Sequence, residues 1–296
     1  MNRQKAIKKA YQRSHILTLK NASYRREVED FFLRETRREG KDVTSNALIS
    51  NNINAVAVIK SKKPGVVAGI DEVSFYLRKI GIKVIQNKKN GQRVSNGDQI
   101  ITLEGKIKNI LKTERIILNL LQRMSGIATE TYSLTKKFKN IAATRKTILG
   151  NLDKKAVFIG GGLTHRLSLE DGVLVKDNHK KALKQGVNVK KLQNLKTPFI
   201  EIEIEKPSQV LETAKTLIKI KNPAVKILMF DNFTPAQVRD SVKVLKKKGL
   251  YSQILLEASG GINSKNVTHY RSVDVISMGS LTHSAKALDM GMGILP

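Results

Sequence analysis

Cysteine and tryptophan are both absent from the 296 residues. Without cysteine there is no disulfide framework and no thiolate-bound zinc or iron–sulfur centre. Aromatic residues make up only 5%, which leaves no stacking platform for the bases of a single-stranded nucleic acid. No apolar run reaches the ~18–20 residues that a membrane-spanning helix requires. Arg3, Lys5, Lys8, Lys9, Arg13 and Lys20 open the chain without an acid, yet no apolar segment follows to complete a secretory signal. A soluble, intracellular protein of the cytoplasm is expected. Acids are also scarce, 25 Asp and Glu against 54 Lys and Arg, for a formal charge of +29. Such an excess favours polyanions, phosphorylated substrates or anionic surfaces. A general lysine bias accounts for it equally well, because the lysines are scattered along the chain (Lys62–Lys63, Lys136–Lys137, Lys246–Lys248).

What is present fits a globular chain, with 40% hydrophobic and 27% charged residues. Residues 1–50 carry a basic helical pattern with Val28, Phe31, Phe32 and Leu33 as its apolar face, closed by Asp42-Val43-Thr44-Ser45. Short β-branched runs then occupy 55–59, 66–68, 82–85 and 99–103, with a helix over 71–80, as expected of a small α+β unit. Ile107 to Phe138 follows as a long helix, apolar nearly all round and softly broken at Ser125-Gly126. Arg115 and Arg123 on such a helix need an acid or a route to solvent.

Beyond residue 140 the pattern alternates. Buried-strand runs recur at 141–144, 172–175, 199–204, 225–230, 253–258 and 273–278, and helical patterns at 180–185, 208–220, 235–248 and 264–271 separate most of them. Strand and helix in alternation make a parallel sheet, and this many repeats point to a barrel or an open barrel. The polar residues keep one phase with the strands. Arg145-Lys146-Thr147, Lys176-Asp177-Asn178-His179, Asp231-Asn232, Ser259-Gly260-Gly261 and Gly279-Ser280 each follow a strand, while Glu201, Glu203 and Glu205 alternate along another. In such folds the carboxyl ends of the strands converge on one rim. Converging cations call for a multiply charged anion, and the two glycine turns after the last strands suit a phosphate. The acids suit sugar hydroxyls, a magnesium ion or positive charge developing on a sugar carbon. Each residue alone has a plainer reading: a solvated rim lysine, a tight turn at Gly160-Gly161-Gly162, a helix cap at His179. Only the shared phase lifts the set above that, and it licenses no more than an anionic, phosphorylated ligand.

Short segments in order carry a resemblance. These are Glu114-Arg115, Leu118 to Thr129, Thr144-Arg145-Lys146-Thr147, Gly160 to Arg166, Val175 to His179, Glu201-Ile202-Glu203, Asp231-Asn232-Phe233, Ser259 to Ile262 and Gly279 to Ser284. Together they make the chain resemble the quinolinate phosphoribosyltransferase family over essentially its whole length. The resemblance implies an α/β fold, namely an open, TIM-like α/β barrel preceded by a smaller α/β sandwich domain. It implies a division into 1–116, with the tail 285–296 joining it, and 117–284. The implied reaction joins quinolinate to phosphoribosyl pyrophosphate, with magnesium, to give nicotinate mononucleotide, pyrophosphate and carbon dioxide in NAD biosynthesis. The implied assembly is a homodimer, or a hexamer, in which Arg115 reaches into the neighbour's site. By motif match Lys146, Glu203 and Asp231 are the catalytic set, with Glu203 and Asp231 toward the metal. Thr144, Arg145, His165, Arg166 and Lys176 fall to quinolinate, and Ser259, Gly260, Gly261, Met278, Gly279 and Ser280 to the 5′-phosphate side. A related branch associated with molybdenum transport shares the scaffold, but Lys176 supplies the extra cation that a dicarboxylate needs. A nucleic-acid-binding protein on the same scaffold is the rival that the charge motivates. Two departures stand out: Ile148-Leu149-Gly150 replaces the family's usual Thr-Pro-Gly, and Glu35 to Thr44 disturbs an otherwise glycine-rich turn.

Overall fold

A computed structural model describes residues 1–183 and 187–296. The expected helical pattern at 180–185 therefore lies partly outside the described residues. The chain forms α1 (Arg3–Tyr11), α2 (Ala22–Glu39), α3 (Val43–Leu48), β1 (Asn54–Ser61), β2 (Gly65–Val66), α4 (Ile70–Lys79), β3 (Lys83–Gln86), β4 (Arg93–Val94), β5 (Gln99–Lys106) and α5 (Ile107–Thr135). It continues with β6 (Ile141–Ala143), α6 (Gly150–Ile159), β7 (Val173–Val175), α7 (Asp177–Ala182), α8 (Val189–Gln193), β8 (Phe199–Ile204), α9 (Val210–Lys219) and β9 (Val225–Asp231). The last elements are α10 (Pro235–Lys247), β10 (Leu255–Ser259), β11 (Val275–Met278), α11 (Ser280–His283) and β12 (Met290–Ile294).

Two compact units interleave along the chain; the tail joins the N-terminal unit as expected, but the expected cut between 116 and 117 is not where they divide. One holds Met1–Arg13, Leu134–Lys146 and Gly162–His283; the other holds Ser14–Ser133, Thr147–Gly161 and Ser284–Pro296. The first is built on a six-stranded parallel sheet in the order β6-β11-β10-β9-β8-β7. Strands β8 and β9 are buried on both faces or nearly so, as parallel strands covered by helices must be. Edge strands β6 and β7 do not pair with each other, so the barrel is open. Helix α1, expected with the N-terminal unit, belongs here instead. Its Ala6, Ile7, Ala10 and Tyr11 pack on Phe199, Val225, Leu255 and Val275, the first residues of four strands. Hydrophobic burial thus closes the amino end of the barrel. Arg3 fastens that floor through a paired ion contact to Asp274, whose Oδ2 also accepts the Leu256 N–H at 2.8 Å.

The second unit is built on an antiparallel sheet in the order β12-β1-β5-β3. Helix α5 runs through the expected break without interruption. Gly126 is there for close approach, since a Cβ would fall 2.0 Å from the Lys286 carbonyl oxygen. Ser125 Oγ bonds the main chain of Ala68 at both ends, accepting its N–H at 2.9 Å and donating to its carbonyl at 3.2 Å. Arg123 meets a buried acid as its position demanded, donating from Nε at 2.8 Å and from a terminal nitrogen at 2.7 Å to Asp153. The same carboxylate accepts the N–H groups of Ile148 and Leu149 at 2.8 and 3.1 Å, fixing the loop that departs from the family sequence. Among the described residues no helix is long and apolar enough to cross a membrane.

Candidate active site

The carboxyl ends of the parallel strands open into a cavity of about 1000 Å³, within the size range of small-molecule sites. Thr144, Arg145 and Lys146 follow β6, Lys176 follows β7, Glu203 sits near the end of β8, and Asp231 ends β9. Ser259, Gly260 and Gly261 follow from β10, and His165 and Arg166 enter from the segment before β7; all of these line the cavity. Alternation along β8 sends Glu201 and Glu203 to this side, while exposed Glu205 lies just past the strand.

Backbone strain is concentrated here. The non-glycine residues with left-handed backbone among those described are His165 (φ 52°) and Asn232 (φ 56°), and both line the cavity. Gly260 (φ 87°) cannot be replaced without conflict, because a Cβ would lie 2.7 Å from the Asn232 nitrogen. The Asn232 N–H in turn donates to the Ser259 carbonyl at 2.9 Å, so the two strand ends lock each other. Among the described residues the N–H groups of Gly260 and Gly261 donate to no protein acceptor, which leaves them for an anion.

The electrostatics are uncompensated. Arg145, Lys146, Arg166 and Lys176 form no ion pair with an acid among the described residues. Burial raises the Glu203 carboxyl above the usual carboxylate range and Asp231 adds to the rise, while Lys176 opposes it. Burial and Glu205 raise Asp231, and Lys146 and Lys176 oppose them. Burial also lowers the Arg166 guanidinium, against the pull of Glu201. Deeper in the wall, Glu201 is wholly buried and held well above the usual range by desolvation and by Glu257. A ligand carrying both anionic and cationic or hydroxyl character relieves both sets of charges at once.

Four of the expected residues lie elsewhere than in the cavity lining. Arg115 is exposed on α5, in the antiparallel unit. Met278 is buried at the end of β11. Ser280 donates from Oγ to the Ile262 carbonyl at 3.4 Å. Gly279 lies beside the site, since a Cβ there would come 3.2 Å from Lys146 Cδ. His179 acts as a cap, its Nδ1 accepting the Lys176 N–H at 3.0 Å. Gly160 and Gly161 serve packing and a turn, a Cβ on Gly160 falling 2.5 Å from the Ala128 oxygen. Glu257 and Ser277 line the cavity although they were not expected to. Their signal was a polar residue inside an apolar strand run, in Leu255-Leu256-Glu257-Ala258 and Ile276-Ser277-Met278.

Comparison with known proteins agrees along nearly the whole chain. Residues 127–293 match the model of the quinolinate phosphoribosyl transferase C-terminal domain, and residues 42–125 that of its N-terminal domain. The chain is 37% identical over 267 residues to a probable nicotinate-nucleotide pyrophosphorylase (carboxylating) of Methanothermobacter thermautotrophicus, covering 86% of this chain and 93% of that protein. It is 32% identical to the nicotinate-nucleotide pyrophosphorylase (carboxylating) of Mycobacterium leprae over 274 residues, 88% of this chain and 94% of the other. The crystal structure of nicotinate-nucleotide pyrophosphorylase from Ehrlichia chaffeensis superposes with a TM-score of 0.79 at 30% identity, over 92% of this chain and 98% of that one. On these matches the chain belongs to the quinolinate phosphoribosyl transferase family.

Proposed function

We propose that this protein is a decarboxylating pentosyltransferase of NAD biosynthesis. It transfers the phosphoribosyl group of phosphoribosyl pyrophosphate to quinolinate and releases pyrophosphate, carbon dioxide and nicotinate mononucleotide. One observation carries the reading: Arg145, Lys146, Arg166 and Lys176, which form no ion pair among the described residues, share one cavity with Glu203 and Asp231. Two carboxylates on a pyridine ring are met by Arg145, Arg166 and Lys176. Lys146 faces the leaving pyrophosphate, and the Ser259–Gly261 turn takes the 5′-phosphate on its main-chain N–H groups. Glu203 and Asp231 stabilise positive charge as it develops at the anomeric carbon, directly or through the ribose hydroxyls.

Glu203 and Asp231 also fit magnesium, since both are oxygen donors raised by burial and by neighbouring acids, Asp231 beside Glu203 and Glu205 beside Asp231. Bound there, the ion would supply charge neutralisation for the pyrophosphate. The ring nitrogen attacks the anomeric carbon as pyrophosphate leaves. The positive nitrogen of the pyridinium so formed stabilises the electron pair left on the adjacent carbon when its carboxylate departs as carbon dioxide, and a proton from solvent takes up that pair to give nicotinate mononucleotide. No covalent enzyme nucleophile is needed. Exposed Arg115, with no ion pair among the described residues, is assigned to the site of a second copy, in a homodimer of the cytoplasm.

The test is direct. Purified protein given quinolinate, phosphoribosyl pyrophosphate and magnesium produces nicotinate mononucleotide and carbon dioxide in equal amounts. Turnover of nicotinate but not quinolinate overturns the substrate assignment. For the shared site, Arg115→Ala and Lys146→Ala proteins are each inactive, and mixing them restores activity in the hybrid; no recovery removes Arg115 from the neighbour's site.

A further inference from the structure

His165 lies in the cavity wall, yet both of its ring nitrogens face the protein. Nδ1 accepts the Arg166 N–H at 2.8 Å, so its lone pair is taken and the ring proton belongs on Nε2. Nε2 in turn lies 3.5 Å from a Glu257 oxygen and 3.7 Å from a Glu201 oxygen, and both carboxylates are wholly buried. Glu257 is fixed from its other oxygen, which accepts the Ser277 hydroxyl at 2.5 Å. The imidazole meets the Tyr11 ring edge-on at 4.9 Å, and the His165 N–H donates to the Tyr11 carbonyl at 2.8 Å. A metal ion among His165, Glu201 and Glu257 would need the Nε2 lone pair, where the proton sits, so the cluster is a support in which the Nε2 edge of the ring faces the Glu257 carboxylate at charge-contact distance.

We propose that Glu257 is a positioning residue for the dicarboxylate substrate, acting through His165. It orients the imidazole, whose Nδ1 then fixes the main chain of Arg166, and the substrate carboxylates are met by cations while His165 bonds neither of them. The proposal rests on the quinolinate reading, and it replaces direct contact by His165 with support from behind. A glutamine at 257 presents an amide donor to the Nε2 proton when its oxygen stays with Ser277, so the ring must turn or change tautomer.

The experiment begins with wild-type turnover. A wild type that fails to turn over ends the functional reading itself, an outcome separate from any effect of the variants. With an active wild type, Glu257→Gln raises the quinolinate KM about tenfold or more and leaves the phosphoribosyl pyrophosphate KM unchanged. His165→Asn keeps an acceptor beside the Arg166 N–H and tolerates left-handed backbone, so its quinolinate KM stays within about threefold of wild type, whereas His165→Ala matches Glu257→Gln. In the His165→Asn background, Glu257→Gln adds nothing further, because the group it acts through is gone. Ring 15N spectra of the wild type place the His165 proton on Nε2. The proposal is overturned by a quinolinate KM that Glu257→Gln leaves within twofold, by both KM values rising together, or by His165→Asn as impaired as His165→Ala. A proton found on Nδ1 in the wild type also overturns it, even should Glu257→Gln fail to fold.

Discussion

In the antiparallel unit the fully buried Asp153 is met by two guanidinium nitrogens and two main-chain N–H groups, and buried Glu72 accepts the Tyr24 hydroxyl at 2.9 Å. In the parallel unit Glu201 is just as buried, yet none of its carboxylate oxygens has a hydrogen-bond partner among the described residues. Glu203 and Asp231, nearer the mouth, face Lys146 and Lys176, which form no ion pair among the described residues. Asp153 is satisfied within the fold and Glu72 in part, its second oxygen having no hydrogen-bond partner among the described residues, whereas the whole Glu201 carboxylate is left for something else to satisfy. Charge that serves the fold is paired at close range; charge that serves a reaction is held apart and ready.

That contrast can be broken, and the largest effect is expected at the mouth. Lys146→Ala lowers turnover by about 10³-fold or more while the melting temperature stays near that of wild type; a large loss of stability would instead make Lys146 a structural cation. Asp153→Ala acts the opposite way. It removes the carboxylate that Arg123 and two N–H groups meet, and denaturant unfolding should show a loss of about 3–5 kcal/mol, with the quinolinate KM of the surviving folded fraction little changed. Arg3→Ala removes a half-buried pair from the barrel floor and costs about 2 kcal/mol; equal stability would show that hydrophobic packing of α1 alone closes that end.

The smallest effect sharpens the comparison by its sign. Burial raises the Glu72 carboxyl above its ordinary value, so its folded pKa exceeds its unfolded one. The stability it contributes is complete below the unfolded pKa and is lost as pH rises through the folded pKa. Glu72→Gln keeps an acceptor for Tyr24 without the charge. It should therefore match wild type in acid and melt higher at mildly alkaline pH, by the equivalent of about 1 kcal/mol. A variant that is less stable at every pH would show that Glu72 is paired after all.

The alternation after residue 140 disclosed the parallel sheet, because a strand buried on both faces leaves an unbroken apolar run in the sequence. Most of the cavity was legible for the same reason, since residues just past a strand share a rim whatever the loops do. What escaped depends on contacts between distant residues. Nothing within Arg3–Tyr11 says that its apolar face will cover the starts of four strands, and nothing in Met290–Ile294 announces that it pairs with β1. Helix α6 was hidden because a glycine opens it and a buried Asp and Lys interrupt its apolar face. Glu257 was passed over because a single acid inside an apolar run carries no sign of whether it faces a cavity or a partner. The glycine at 126 was read as a break, where its use is contact with the chain's final segment.

The barrel floor has a bearing on how the molecule is made. Arg3 and Asp274 are separated by 271 positions, and helix α1, once synthesised, must wait until the last strands of the barrel have followed before its seat exists. Contacts spanning such distances are entropically late and slow, so the nascent amphipathic segment stays uncovered through most of synthesis. A chain lacking residues 1–13 would be born without its plug and should aggregate, whereas supplying residues 1–13 as a separate peptide ought to recover soluble protein.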